Sequence, residues 1–263
     1  AGYTMARADK MGANYDDYLR DDNLHINWYP GHMKKTKDLV RDNLKLVDVV
    51  VELLDARIPF SSKNPDIDKL AGNKPRVVIS NKSDLADKSK LDMWIRYYKN
   101  QGIKAIPVDT LKGVGVNRLV EECKNVVKDK MNALKEKGRK ERPVRVMIVG
   151  VPNVGKSSII NKLTGRKSAI TGDKPGVTKG KQWVRLKGNL ELLDTPGILW
   201  PKFEDQEVAL NLAFCRSIKD EILDIETLAL RLIRKLMKIE PQKLKERYKL
   251  ENLGETDIET MDM

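Results

Sequence analysis

The chain has 263 residues, 40% of them hydrophobic and 33% charged, and its 50 Lys and Arg against 38 Asp and Glu leave a formal charge of +12. That composition can bury a core and is too apolar for a disordered chain. No window approaches the roughly 20 apolar residues of a membrane span, and Cys123 and Cys215 lie too far apart for a disulfide framework or a zinc cluster, which predicts a reducing, cytoplasmic setting. The basic residues are concentrated: 124–145 hold 9 basic and 3 acidic side chains, 162–187 hold 8 and 1, and 231–249 hold 8 and 2. Composition alone weighs an anionic polymer as partner and a set of solvated Lys-rich helix faces about equally.

Residues 1–25 have weak periodicity and carry Asp16, Asp17, Asp21 and Asp22 where a signal peptide needs an apolar stretch. They read as a flexible extension or an expression remnant. From residue 46 apolar bursts alternate with amphipathic stretches, the pattern of an α/β domain with a largely parallel sheet. Buried strands are predicted at 46–54, 76–80, 103–108 and 144–149. Between them, Leu91, Trp94, Ile95 and Tyr98 share one helical face, and Val116, Leu119, Val120, Cys123, Val127 and Leu134 share that of one long helix. The run at 138–143 (GRKERP) links this helix to the strand at 144. A hairpin about Gly188-Asn189 joins strands near 182–187 and 190–194, and beyond 204 the chain reads as all helix, with a stripe of Ile225, Leu228, Leu232, Ile233 and Leu236 and a basic helix opened by Pro241. The expected division is an extension at 1–25, a main domain at 26–203, and a small helical domain with an acidic tail at 204–263.

Gly150 to Ser157 (GVPNVGKS) matches GxxxxGK[ST] between a strand and a helix. Glycines let successive N–H groups turn toward phosphate oxygens, and the helix N-terminus adds positive potential. The loop candidates are Pro152, Asn153, Val154, Gly155, Lys156, Ser157 and Ser158, with Lys156 bridging the β- and γ-phosphates and Ser157 offering its hydroxyl to Mg²⁺. Asp194-Thr195-Pro196-Gly197 follows an apolar strand, so Asp194 is placed to hold Mg²⁺ through water and the Gly197 amide to meet the γ-phosphate. In the Gly/Pro-rich loop between them, Thr178 is the first candidate to close on Mg²⁺ and Thr171 the second.

Asn81-Lys82-Ser83-Asp84 follows the second strand. A carboxylate at Asp84 can accept from the N1–H and 2-amino group of guanine, which adenine lacks, and Lys82 can lay its alkyl stem over the purine. As a plain turn, Asp84 would be the N-cap of the next helix. Together with the phosphate loop, these residues point to a guanine nucleotide, GTP or GDP. The order is inverted relative to translation-factor-type GTPases: NKSD precedes the phosphate loop, so the chain reads as a circularly permuted Ras-like P-loop domain followed by a helical one. The break falls after DTPG, which ties the nucleotide-responsive segment directly to the C-terminal helices.

That order, with WYPGHM at 28–33, DARIP at 55–59 and DTPGILWP at 194–201, resembles the YlqF/RbgA family of bacterial ribosome-assembly GTPases over about residues 26–250. The resemblance implies GTP hydrolysis coupled to maturation of the large ribosomal subunit, with basic surfaces on rRNA; no DNA or membrane partner is expected, and a monomer is. Ile198 stands where many GTPases have a water-positioning Gln, and the resemblance assigns that role to His32. It also implies K⁺ held near Asn153. Where the third strand ends, Asp109 and Thr110 occupy the place of a Ser-Ala element that reads guanine O6, so their role is assigned by position only.

Overall fold

The computed structural model describes residues 30–164, 183–194, 205–217, 224–254 and 260. Thr171, Thr178 and Gly197 lie outside the described residues. Those described fall into two compact units, one within Tyr29–Lys202 and the other within Phe203–Met263.

In the larger unit, α1 (Pro30–Leu44), β1 (Val49–Asp55), α2 (Ile67–Ala71), β2 (Arg76–Asn81), α3 (Lys88–Asn100), β3 (Lys104–Val108), α4 (Val116–Asn125), α5 (Lys128–Glu136), β4 (Val144–Gly150), α6 (Lys156–Thr164), β5 (Trp183–Leu186) and β6 (Leu190–Leu193) follow in turn. One six-stranded sheet runs in the order β3-β2-β1-β4-β6-β5. All neighbours are parallel except β5 and β6, which form the antiparallel hairpin expected at Gly188-Asn189. Both turn residues have positive φ, and a Cβ on Gly188 would collide with Val120 of α4.

β1, β2 and β4 are Val- and Ile-rich and buried nearly throughout because helices cover the sheet. Val50 of β1 packs with Val40, Leu44, Ile67 and Met147, joining α1 and α2 to the sheet. Leu54 packs with Val78, Tyr98 and Ala105, and Trp94 rests against them. Cys123 is buried and its thiol is pushed up to about 12, so it is a packing residue rather than a reactive one.

The long helix expected across 116–134 is two helices. Val126 and Val127, both β-branched, interrupt it: Val127 leaves the helical conformation at φ −115° and is only 1% exposed.

β1 begins three residues later than its apolar pattern suggests, because Asp48 is the junction at which the linker 138–143 is fastened. Its carboxylate, 3% exposed, accepts from both Arg142 guanidinium nitrogens at 2.7 and 2.9 Å, from Lys130 Nζ at 2.9 Å and from the Arg145 backbone N–H at 2.9 Å. Desolvation alone would raise its pKa, but these donors hold Asp48 well below the usual carboxylate range. Its stabilisation is therefore complete above about pH 4 and is lost as pH falls toward the depressed value. Asp48→Ala strands the buried end of Arg142, and we expect a cost of about 3 kcal/mol, read from urea unfolding at pH 7.

A second buried carboxylate, Glu52, sits in the middle of β1 and meets Lys63 at 3.0 Å and Arg76 at 3.4 Å. Burial raises its pKa despite these cations.

The smaller unit contains α7 (Gln206–Phe214), α8 (Ile225–Ile239) and α9 (Pro241–Tyr248). Asp205 caps α7 and Asp224 caps α8 through their backbone N–H groups, and Pro241 stands in the first turn of α9. The stripe expected along α8 is mostly half-buried. Ile225 is exposed, and the residues that are fully buried are Leu230 and Arg231.

Candidate nucleotide site

Parallel strands β1, β2, β3, β4 and β6 all end at the same edge of the sheet, so everything that follows them gathers there, as ligand sites do in α/β folds. The phosphate-loop sequence leaves β4, NKSD leaves β2, Asp109-Thr110 leaves β3 and Asp194 leaves β6. Register makes the juxtaposition specific, since β1 aligns Asp55 with Asn81 and Leu53 with Gly150.

One hydrogen bond joins the two motifs. Asn81, 1% exposed, donates its Nδ2–H to the Val154 carbonyl at 2.8 Å, across 73 positions of sequence. The same side chain explains Gly155: at φ +99°, a Cβ there would collide with Asn81 Nδ2. Gly150 is equally constrained, since a Cβ would come within 2.9 Å of the Leu53 carbonyl. Asn153 supplies the left-handed turn at φ 60°. α6 then begins at Lys156, with Ile159 N–H donating to the Gly155 carbonyl at 3.0 Å. Asn81 Oδ1 is buried without a hydrogen-bond partner among the described residues. A buried orphan acceptor at the junction of the two motifs is what a site completed by a ligand leaves behind.

Lys156 is largely withdrawn from water, and burial pushes its ammonium down to about 8, opposed by the charge of Asp194. Burial likewise raises Asp194 against the pull of Lys156. Burial thus disfavours the charged form of both groups at the ends of β4 and β6, while each favours the charge of the other. Ser157 and Ser158 are exposed at the start of α6. Among the described residues no group of three His, Cys, Asp or Glu could cage a metal. A Mg²⁺ ion bound by one hydroxyl, one carboxylate and phosphate oxygens fits this sparse donor set.

The turn reading of Asp84 fails, because the N-cap of α3 is Asp87, whose carboxylate accepts from Lys90 N–H at 3.0 Å. Asp84 lies in a short 3₁₀ turn over Ser83–Leu85, makes no hydrogen bond among the described residues, and is exposed. Lys82 before it takes φ 57°. The Asp84 side chain is thus open to solvent at the end of β2. Asp109 follows β3 directly. Its Oδ1 accepts from Leu111 and Lys112 N–H at 3.1 and 3.3 Å, and Asp109 and Val114 exchange backbone hydrogen bonds. It builds a closed loop at the end of β3, with Thr110 buried in it.

His32 falls in the first turn of α1, and its side chain lies outside the described residues. Sequence reasoning quoted DARIP only as a motif. In the fold the buried Asp55 carboxylate accepts from Arg57 N–H, Nε and a terminal nitrogen at 2.9, 3.0 and 2.7 Å, while Ser62 Oγ receives the Asp55 N–H at 3.0 Å. This fork locks the loop leaving β1 between the two nucleotide motifs. An Asp-x-Arg pair at the end of an apolar strand was the available signal.

The family model described as "50S ribosome-binding GTPase" matches residues 145–258. "Ribosome biogenesis GTPase A" of Priestia megaterium is 48% identical over 240 residues, covering 91% of this chain and 83% of that protein. The protein of the same name from Bacillus cereus is 48% identical over 237 residues, covering 90% and 80%. The chain belongs to the ribosome biogenesis GTPase A family, YlqF/RbgA. A solved structure of GNP-bound YlqF from T. maritima matches with a TM-score of 0.58 at 29% identity, over 84% of this chain and 85% of that one. As a YlqF/RbgA GTPase, the chain has a circularly permuted G domain: β4 with its phosphate-loop sequence is central in the sheet yet follows β2 and its NKSD motif in sequence. Its ligand is a guanine nucleotide, and it hydrolyses GTP.

Proposed function

We propose that this GTPase acts in assembly of the large ribosomal subunit, gripping precursor rRNA through its basic surfaces in its GTP state and releasing on hydrolysis. The observation that carries the reading is the Asn81–Val154 hydrogen bond, which makes one unit of the base-reading and phosphate-binding motifs. Lys156 neutralises the β- and γ-phosphates, the phosphate-loop amides cradle them, and Asp84 with Lys82 selects guanine. Mg²⁺, which spreads the charge of the triphosphate, would be held by Ser157 and Asp194 and, once the first switch loop closes, by Thr178. Gly197 would report the γ-phosphate. His32 would orient the attacking water, and K⁺ beside Asn153 would offset charge as the phosphoryl group departs. The domain 204–263 follows the second switch directly, which supports transmission of nucleotide state to it.

Co-sedimentation with purified large subunits tests this. Retention with a non-hydrolysable GTP analogue should exceed that with GDP at least tenfold in low salt and K⁺, and equal retention in both states would contradict a nucleotide-controlled grip.

A further inference from the structure

The described residues hold a second concave surface at the opposite edge of the sheet. Lys124, Lys128, Lys135, Arg139, Lys140 and Arg142 line a cavity of about 580 Å³ between α4, α5 and the linker 138–143, closed by Val144 at the start of β4 and Asn189 in the hairpin turn. β4 runs from Val144 to the phosphate loop, so its seven residues place this groove about 20 Å from the nucleotide site.

Two features set it apart from a solvated helix face. Its wall is fixed, because Arg142 is held by the buried Asp48 and α5 ends in a tight turn at Gly138, φ 73°, from which Arg139 N–H donates to the Leu134 carbonyl at 3.1 Å. Its charge is also unspent: among the described residues no carboxylate lies within ion-pair distance of Lys128, Lys135, Arg139 or Lys140, and Glu141 is the one acid in the lining. The linker that rejoins the permuted domain creates this wall.

We propose that this groove is a second polyanion site, shaped for the phosphate backbone of an RNA helix. None of the lining side chains is aromatic, so there is no platform for stacking unpaired bases, whereas cations spread over three elements suit the regularly spaced phosphates of a duplex. The choice of RNA over an acidic peptide rests on the ribosome-assembly reading.

The test is binding of a labelled 20-base-pair RNA duplex of arbitrary sequence by fluorescence anisotropy across a salt series. Arg139→Glu/Lys140→Glu should weaken binding at least tenfold and lower the slope of log K against log salt by about 2, with GTP affinity unchanged. Lys99→Glu/Lys104→Glu, with the same change in net charge on exposed residues outside the groove, should lose under twofold. Lys128→Gln/Lys135→Gln, on the helical wall, should act in the same direction as the linker variant. Equal losses in the linker and control variants would reduce the groove to a share of net charge and overturn the proposal. So would stronger displacement by poly-glutamate than by unlabelled duplex, which would reassign the groove to acidic peptides. Unchanged RNA binding in the linker variant, with wild type binding RNA and large subunits, would remove the groove alone. Failure of wild type to bind either would remove the ribosome reading beneath it.

Discussion

Lys156→Met should abolish measurable GTP binding at micromolar protein, a loss of about 3 kcal/mol or 100-fold, while the nucleotide-free protein melts no lower than wild type. Both halves follow from where the ammonium sits. Burial holds it at about 8, below the ordinary lysine value, so the folded apo protein binds fewer protons than the unfolded chain. Stability from this group therefore rises with pH between about 8 and 10, and at pH 7 the charged lysine costs the empty fold free energy. The triphosphate reverses the balance by favouring the ammonium. Nucleotide binding at pH 8 should then take up about half a proton, and affinity should fall up to tenfold per unit as pH rises above 8. Calorimetry in buffers of different ionisation enthalpy reads the uptake. A pH-independent affinity from 7 to 9.5 would contradict the coupling of Lys156 protonation to nucleotide binding.

Asp84→Asn should weaken GTP about 100-fold, leave ATP essentially unchanged, and turn preference toward xanthosine triphosphate. In the proposed site the carboxylate would accept from both N1–H and the 2-amino group. An amide keeps one acceptor and turns a donor toward the other, which repels the amino group of guanine and suits the 2-oxo group of xanthine. Because Asp84 is exposed and without a hydrogen-bond partner among the described residues, the substitution should leave the melting temperature within a degree or two of wild type. Equal weakening of GTP and ATP would mean that Asp84 acts through the loop rather than on the base.

Much of this was legible in the amino-acid order because strands buried on both faces must be apolar throughout, and phosphate loops need glycine where backbone approaches backbone. Gly150 and Gly155 were readable for that reason, although the groups that enforce them, the Leu53 carbonyl and the Asn81 amide, are distant in sequence. Long-range polar pairing was not readable. Nothing local says that Asp48 will meet Arg142, 94 residues on, or that Asn81 will steady Val154. The acids inside the apolar run 46–54 were nonetheless a clue, since a carboxylate among valines needs buried donors. The break at Val126–Val127 was hidden because both helices share one apolar periodicity.

The permuted order gives the site its consequence: β2, which leads into NKSD, and β4, which leads into the phosphate-loop sequence, are fixed to each other through β1, while the chain beyond Asp194 leads to the helical unit. The central claim is that GTP hydrolysis serves the large subunit, and the most direct measurement is GTP turnover with and without purified large subunits, in low salt with K⁺ and Mg²⁺. We expect at least tenfold stimulation, abolished by Lys156→Met and lost in His32→Ala without loss of GTP affinity. Turnover unchanged by subunits, in protein that binds GTP normally, would contradict it.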